Sequence, residues 1–200
     1  MSTTSETPKK AIDVRRLTES AILIALGFVL SFIKVPVNPA ATVSLVSMLP
    51  IIILAYKYGT SWGLLCGLVH GIFQMVEGGI DAPPTPDVWN YFLVVMLDYL
   101  LAYTLLGLAG LVRNVFQKPV PAIALCTVTG VFARFICSFL SGVIIWGVYA
   151  PEGQSPALYS LVINGTKFGL EGILTVAVAA ILFAIPVIQK AAKPVGLKSV

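Results

Sequence analysis

The sequence predicts an all-α membrane protein of six transmembrane helices. Three observations carry that prediction. Of 200 residues, 58% are hydrophobic and only 11% charged, with a mean hydropathy of +0.93, well outside the averages of soluble domains. Apolar runs long enough to cross a hydrocarbon core of roughly 30 Å follow one another along the chain. The basic residues collect on alternate connections between those runs.

Residues 1–16 are polar, rich in Ser and Thr, and basic through Lys9, Lys10, Arg15 and Arg16, which fits a cytoplasmic tail. The first run, Leu17 to Ile33, ends in no small-residue cleavage site and further spans follow, so it is expected to remain as a span instead of leaving as a signal peptide. The second span is expected over Ala41 to Tyr56 and the third over Thr60 to Val76. Trp89 to Val112, Val120 to Tyr149 and Leu158 to Ile188 supply the fourth, fifth and sixth. Between them lie Lys34 to Asn38 with Pro36 inside it and Pro39 after it, Lys57-Tyr58-Gly59, the Gly/Pro/Asp-rich Glu77 to Asp87, Arg113 to Pro119, and Ala150 to Pro156. The last two runs exceed a straight crossing and must tilt, kink or project, with Pro186 marking the inner end of the sixth. Residues 17–190 thus form one domain, followed by a cytoplasmic tail over 191–200.

An even number of spans puts both termini on one side. With the termini cytoplasmic, that side holds Lys9, Lys10, Arg15, Arg16, Lys57, Arg113, Lys118, Lys190, Lys193 and Lys198, against Lys34 alone outside. The outer connections carry Glu77, Asp81, Asp87 and Glu152, and Trp89 and Trp146 sit at outer helix ends as interfacial anchors do.

Ionisable groups within spans are costly and mark function unless a partner explains them. Asp98 lies nine residues after Trp89, roughly 13 Å below the outer surface, and Arg134 twelve residues before Trp146, roughly 18 Å below it. Ser138 is one turn above Arg134. On the sixth span Tyr159 starts at the surface, Asn164 follows about 8 Å deeper, and Lys167 and Glu171 come one and two turns below. With the outer aromatics Trp146 and Tyr149, these groups suit an outward-facing pocket for a small, flat, polar ligand. Structural pairing competes with that reading: Lys167 with Glu171 at i,i+4, and Asp98 with Arg134 between helices. His70 and Gln74, also i,i+4, lie near the outer end of the third span, within reach of a ligand, although more often such residues are satisfied by neighbouring helices.

Several classes are disfavoured. No GxxxxGK[ST] phosphate loop occurs, Ser141 stands in Phe-Leu-Ser-Gly without the GxSG turn of an intramembrane protease, and no His/Cys/carboxylate cluster has metal-ligand spacing. Cys66, Cys126 and Cys137 lie in apolar stretches and read as packing residues. No nucleic-acid signature is present, and no cofactor is expected. The chain reads as a non-enzymatic binding protein whose surroundings are the lipid bilayer.

Leu97-Asp98-Tyr99, Leu106 to Leu111, Arg134 through Ser141-Gly142, Tyr149-Ala150-Pro151-Glu152-Gly153, Tyr159-Ser160-Leu161 and Asn164-Gly165 together resemble the thiamine-binding S-component family of energy-coupling factor transporters. Ser47 to Pro50 and Tyr58-Gly59 resemble its second span, and the similarity covers residues 15 to 190. The resemblance implies an S-component-like bundle of six helices whose outer ends, from the fourth to the sixth and closed by the first loop, hold one vitamin molecule. It also implies a transmembrane coupling subunit and two cytoplasmic ATPases as partners. By that resemblance Asp98 stands near the thiazolium cation with Tyr99 following it, Trp146 stacks on the ligand, Tyr159 and Asn164 make polar contacts, Ser138 lines the site and Arg134 occupies a basic position. Ala21-x-x-x-Ala25 matches a small-residue pair that docks on the coupling subunit. The chain departs from the pattern in having Ser138 where some members have histidine, Ala41 where some have tryptophan, and Lys167 one turn below Asn164. Two alternatives remain open: the same fold serving another small vitamin or a pyrimidine or thiazole precursor, and a self-sufficient secondary transporter, against which stands the lack of an internal repeat or paired interrupted helices.

Overall fold

A computed structural model of the chain describes residues 13–38, 41–44 and 46–196. Most of the tail expected over 1–16, and the last residues of the tail expected over 191–200, lie outside the described residues. Helix α1 (Val14–Ser31) begins three residues before the first apolar run, because the Asp13 carboxylate accepts from the Arg16 backbone N–H at 3.2 Å and caps it there. Helices α2 (Leu49–Tyr58) and α3 (Thr60–Gly78) are separated by Gly59 alone, at φ 91°, a conformation open to glycine. The fourth span, α4 (Val88–Val112), starts on the Asp87 cap. It is α-helical to Val94, π-helical over Val95–Leu100, α-helical over Leu101–Thr104 and 3-10 over Leu105–Val112. Helix α5 (Pro119–Ile144) and α6 (Pro156–Ala184) both begin with proline in the first turn, and α7 (Pro186–Ala191) follows a break at Ile185.

The second span is shorter than the sequence predicts. In place of a helix over Ala41 to Tyr56, the chain forms an antiparallel hairpin, β1 (Lys34–Asn38) with β2 (Ala41–Ser44), and only then the ten-residue α2. The pairs Lys34↔Ser44, Val35↔Val43 and Pro36↔Thr42 give the two-residue alternation of a strand. Ten residues rise only about 15 Å, half the hydrocarbon core. Helix α2 is covered by protein over most of its surface: eight of its ten residues are buried, Ile51, Ile52, Leu54 and Ala55 fully. It sits among α1, α3, α4 and α5, and the two most extensive helix pairs are α3 with α4 and α5 with α6. Among the described residues three helices, α4, α5 and α6, are long and apolar enough to cross a membrane by length and composition.

The α3–α4 contact is built from glycine. Gly63, Gly67 and Gly71 recur every four residues on α3 and face α4, where Gly107 and Gly110 answer them. A Cβ at Gly107 would lie 2.1 Å from the Leu64 nitrogen, and one at Gly67 would lie 2.3 Å from the Tyr103 carbonyl oxygen. Backbone meets backbone, so no side chain can yield. Gly107→Ala is therefore expected to lower unfolding stability in detergent by about 1–3 kcal/mol. Gly165→Ala, with nothing within 4 Å, should leave it level or raise it. Equal melting behaviour of the two variants would refute this account of the contact.

Candidate functional site: a polar cavity under the hairpin

The end of α1, helices α3 to α6 and the β-hairpin enclose a cavity of about 580 Å³. Asp98, Tyr99, Arg134, Ser138, Trp146, Tyr159 and Asn164, separated by up to 66 positions in the sequence, all line it. Its volume lies in the range of small-molecule pockets.

Asp98 and Tyr99 belong to the π-helical turn, which widens the helix and presents two consecutive residues to one space. The Asp98 Oδ2 accepts from Ser141 Oγ at 2.7 Å and from Trp146 Nε1 at 3.2 Å, and Ser141 also accepts from that indole N–H at 3.1 Å. The carboxylate thereby orients the indole. Trp146 stacks with Tyr149 at a centroid distance of 6.4 Å, giving an aromatic wall beside the carboxylate. The Tyr99 hydroxyl donates to the Gly79 carbonyl and to Asp81 Oδ2 and accepts from the Asp81 N–H, so it fastens the α3–α4 connection over the cavity.

On the opposite wall, Asn164 donates to the Ser138 carbonyl at 3.1 Å and to Ser160 Oγ at 3.2 Å, while Ser160 donates to the Phe139 carbonyl. These bonds clamp α6 onto α5 and use the Asn164 amide N–H groups, while its side-chain carbonyl accepts no hydrogen bond among the described residues. Gly142 permits the approach, since a Cβ there would lie 2.2 Å from Ser160 Oγ.

Neither ion pair weighed in the sequence forms. Arg134 does not pair with Asp98, and Lys167 does not pair with Glu171. Arg134, 6% exposed, instead donates to the Tyr103 hydroxyl at 2.7 Å, lies 4.1 Å above that ring, and holds Glu171 Oε1 at 3.9 Å. Its Nε and Nη1, and Glu171 Oε2, have no hydrogen-bond partner among the described residues. Lys167 lines the cavity without an ion pair or hydrogen bond among the described residues.

Beyond the residues singled out by span depth, the polar lining takes in Ser31, Lys34, Ser44, Glu77 and Tyr103. Lys34 of β1 pairs with Glu77 at 2.6 Å, Glu77 accepts from Ser31, Ser31 accepts from Gln74, and Gln74 accepts from Tyr103, which accepts from Arg134. Glu171, the partner of Arg134, accepts from Ser44 of β2 at 2.8 Å. Both strands of the hairpin are thus tied into one polar chain. The visible signal for the tyrosine was its spacing, Tyr99 and Tyr103 being one turn apart beside Asp98. His70 is fully buried edge-on to Tyr103 and does not reach the cavity, whereas Gln74 does. Ala41 falls in β2.

Ala21 and Ala25 lie elsewhere, on an apolar groove of about 400 Å³ between α1 and α3 that also takes in Leu17, Phe28, Trp62 and Leu65. The described residues contain no group of three or more potential metal ligands.

The family model described as "Thiamine transporter protein (Thia_YuaJ)" matches residues 17–190. Among curated proteins, the "Thiamine transporter ThiT" of Lacticaseibacillus paracasei is 31% identical over 178 residues, covering 84% of this chain and 87% of the relative. That of Bacillus subtilis is 25% identical over 182 residues, covering 84% and 90%. A solved ThiT structure from Listeria monocytogenes superposes with a TM-score of 0.74 at 23% identity, over 88% of this chain and 97% of that one. A structure titled as the S component of a bacterial ECF transporter gives 0.54 at 18% identity, over 89% and 96%. These two likenesses establish the fold, and the family match over nearly the whole apolar region, with its relatives, shows that this multi-pass membrane chain belongs to the thiamine transporter protein family.

Proposed function

We propose that the cavity binds thiamine and that the chain is the substrate-binding subunit of an energy-coupling factor importer. The observation that carries this reading is the Asp98 carboxylate, held by Ser141 and Trp146 and unclaimed by Arg134, beside an aromatic face. A thiazolium ring is a flat cation, and a carboxylate with an indole beside it serves both its charge and its π-surface. The aminopyrimidine needs donors and acceptors along one edge, which Asn164, Tyr159 and Ser138 offer. Asp98→Asn removes a charge-assisted contact of about 1.5–3 kcal/mol. Thiamine should then bind about 10- to 150-fold more weakly. An analogue with a neutral thiophene in place of the thiazolium should lose much less. Titration calorimetry on the purified protein reads both, and equal losses would remove Asp98 from the site.

The asymmetry of basic residues supports cytoplasmic termini, with the cavity facing outward. In that orientation Gln117, between α4 and α5, is inside, and Glu152, between α5 and α6, is outside. A cysteine replacing Glu152 should react with a membrane-impermeant thiol reagent in intact cells and one replacing Gln117 should not. The reverse pattern would invert the topology.

The α1–α3 groove is the proposed seat of the transmembrane coupling subunit, and two cytoplasmic ATPases supply the energy, since this sequence contains no phosphate loop. Ala21→Trp fills that groove far from the cavity. It should abolish cellular thiamine uptake while binding by the purified protein stays within about twofold, a shift of roughly 0.4 kcal/mol. Undiminished uptake would exclude the groove as the docking surface.

A further inference from the structure

Two cations share the floor of the cavity, and neither is fully used. Asn164 bonds to the Ser138 carbonyl, which sets the register of the antiparallel pair α5 and α6. Lys167 is three residues deeper than Asn164 and Arg134 four residues deeper than Ser138, so the two side chains enter at one level from facing helices. The Phe168 ring lies beside both, 5.2 Å from the Arg134 guanidinium carbon and 5.4 Å from Lys167 Nζ. Arg134 keeps two N–H-bearing nitrogens without hydrogen bonds although it is buried, and its carboxylate partner stands at 3.9 Å, beyond hydrogen-bond distance. Lys167 has no anionic partner among the described residues. Unsatisfied buried donors on a cavity floor are an unfilled demand for acceptors.

We propose that Lys167 and Arg134 form an oxyanion subsite that takes a phosphomonoester carried on the ligand itself, which makes Lys167 the residue that sets preference between thiamine and its monophosphate. The proposal rests on the thiamine reading of the cavity. Asp98 and Trp146 hold the thiazolium end near Ser141, seven residues or roughly 10 Å above Arg134 along α5. The hydroxyethyl arm of the ring and the flexible lysine stem together bridge that distance, and the ester oxygens then meet the ammonium and the guanidinium. Without an ester, Lys167 is a like charge facing a cationic ligand. The same residue therefore favours the phosphorylated form and penalises the free alcohol.

Opposite signs make the test. By calorimetry in detergent, the unaltered protein should bind thiamine monophosphate at least as tightly as thiamine. Lys167→Met should weaken the monophosphate about 10- to 100-fold and tighten thiamine a few-fold. Lys167→Arg should keep the original preference. Changes of equal size and sign for both ligands would make Lys167 merely structural and overturn the proposal, as would a preference unaltered in Lys167→Met. If millimolar inorganic phosphate raised thiamine affinity to that of the ester, the anion would be a separate ion and the ester assignment would fall. Binding of thiamine with no response to Lys167 removes this inference alone. Binding of neither compound removes the thiamine reading and this inference with it.

Discussion

A guanidinium buried among transmembrane helices is the constraint around which the outer half of this protein is arranged. Arg134 carries a guanidinium, a cation, and a cation left alone at such depth is expensive. Its surroundings divide the neutralisation: the face of Tyr103, the hydroxyl of that same residue, and Glu171 on the next helix. Each of these then needs partners, and the demand propagates outward through Gln74, Ser31 and Glu77 on one side and through Ser44 on the other. Both branches end on the hairpin, at Lys34 and Ser44, which pair with each other across the two strands. The cover of the cavity is therefore connected electrostatically to its floor, and a ligand that draws on Arg134 also acts on the residues that hold the cover.

The helix architecture keeps this space open. Glycines on α3 and α4 let two backbones touch, so the cavity is not filled by side chains from that contact, and the π-helical turn in α4 then directs Asp98 and Tyr99 inward above it. On the other side Gly142 allows Ser160 and Asn164 to bond to α5 backbone carbonyls. Rigid contacts on two walls leave the cavity's polar groups positioned before any ligand arrives, which lowers the ordering cost of binding.

Much of this was legible in the sequence, and the limits have physical reasons. Spans form wherever apolar length suffices, so five of the six runs coincide with helices. The exception, Ala41 to Tyr56, is as apolar as the others, and hydropathy does not distinguish a helix in lipid from a hairpin strand feeding a helix surrounded by protein. The two-residue alternation of Lys34-Val-Pro-Val-Asn and Ala-Thr-Val-Ser was the available signal. Depth along a helix is readable from residue counting, which is why the seven candidate residues converge on one cavity. Rotation about the helix axis is not readable that way. Glu171 faces Arg134 instead of Lys167 because of how α6 is turned against α5, and the π-helical turn shifts the facing of every residue after it on α4.

The ten-residue α2 has a consequence for biogenesis. During synthesis each segment is offered to the bilayer before its later neighbours exist, and a helix rising only about 15 Å leaves backbone polar groups beyond its ends at hydrocarbon depth. It has no lipid-spanning form of its own. With only Gly59 between them, α2 and α3 must enter together as a helical hairpin, and the sheath that finally encloses α2 is completed only when α4 and α5 arrive. Ile51, Ile52 and Leu54 are fully buried in the finished fold, and apolar side chains there suit both the lipid offered on entry and the protein sheath that replaces it.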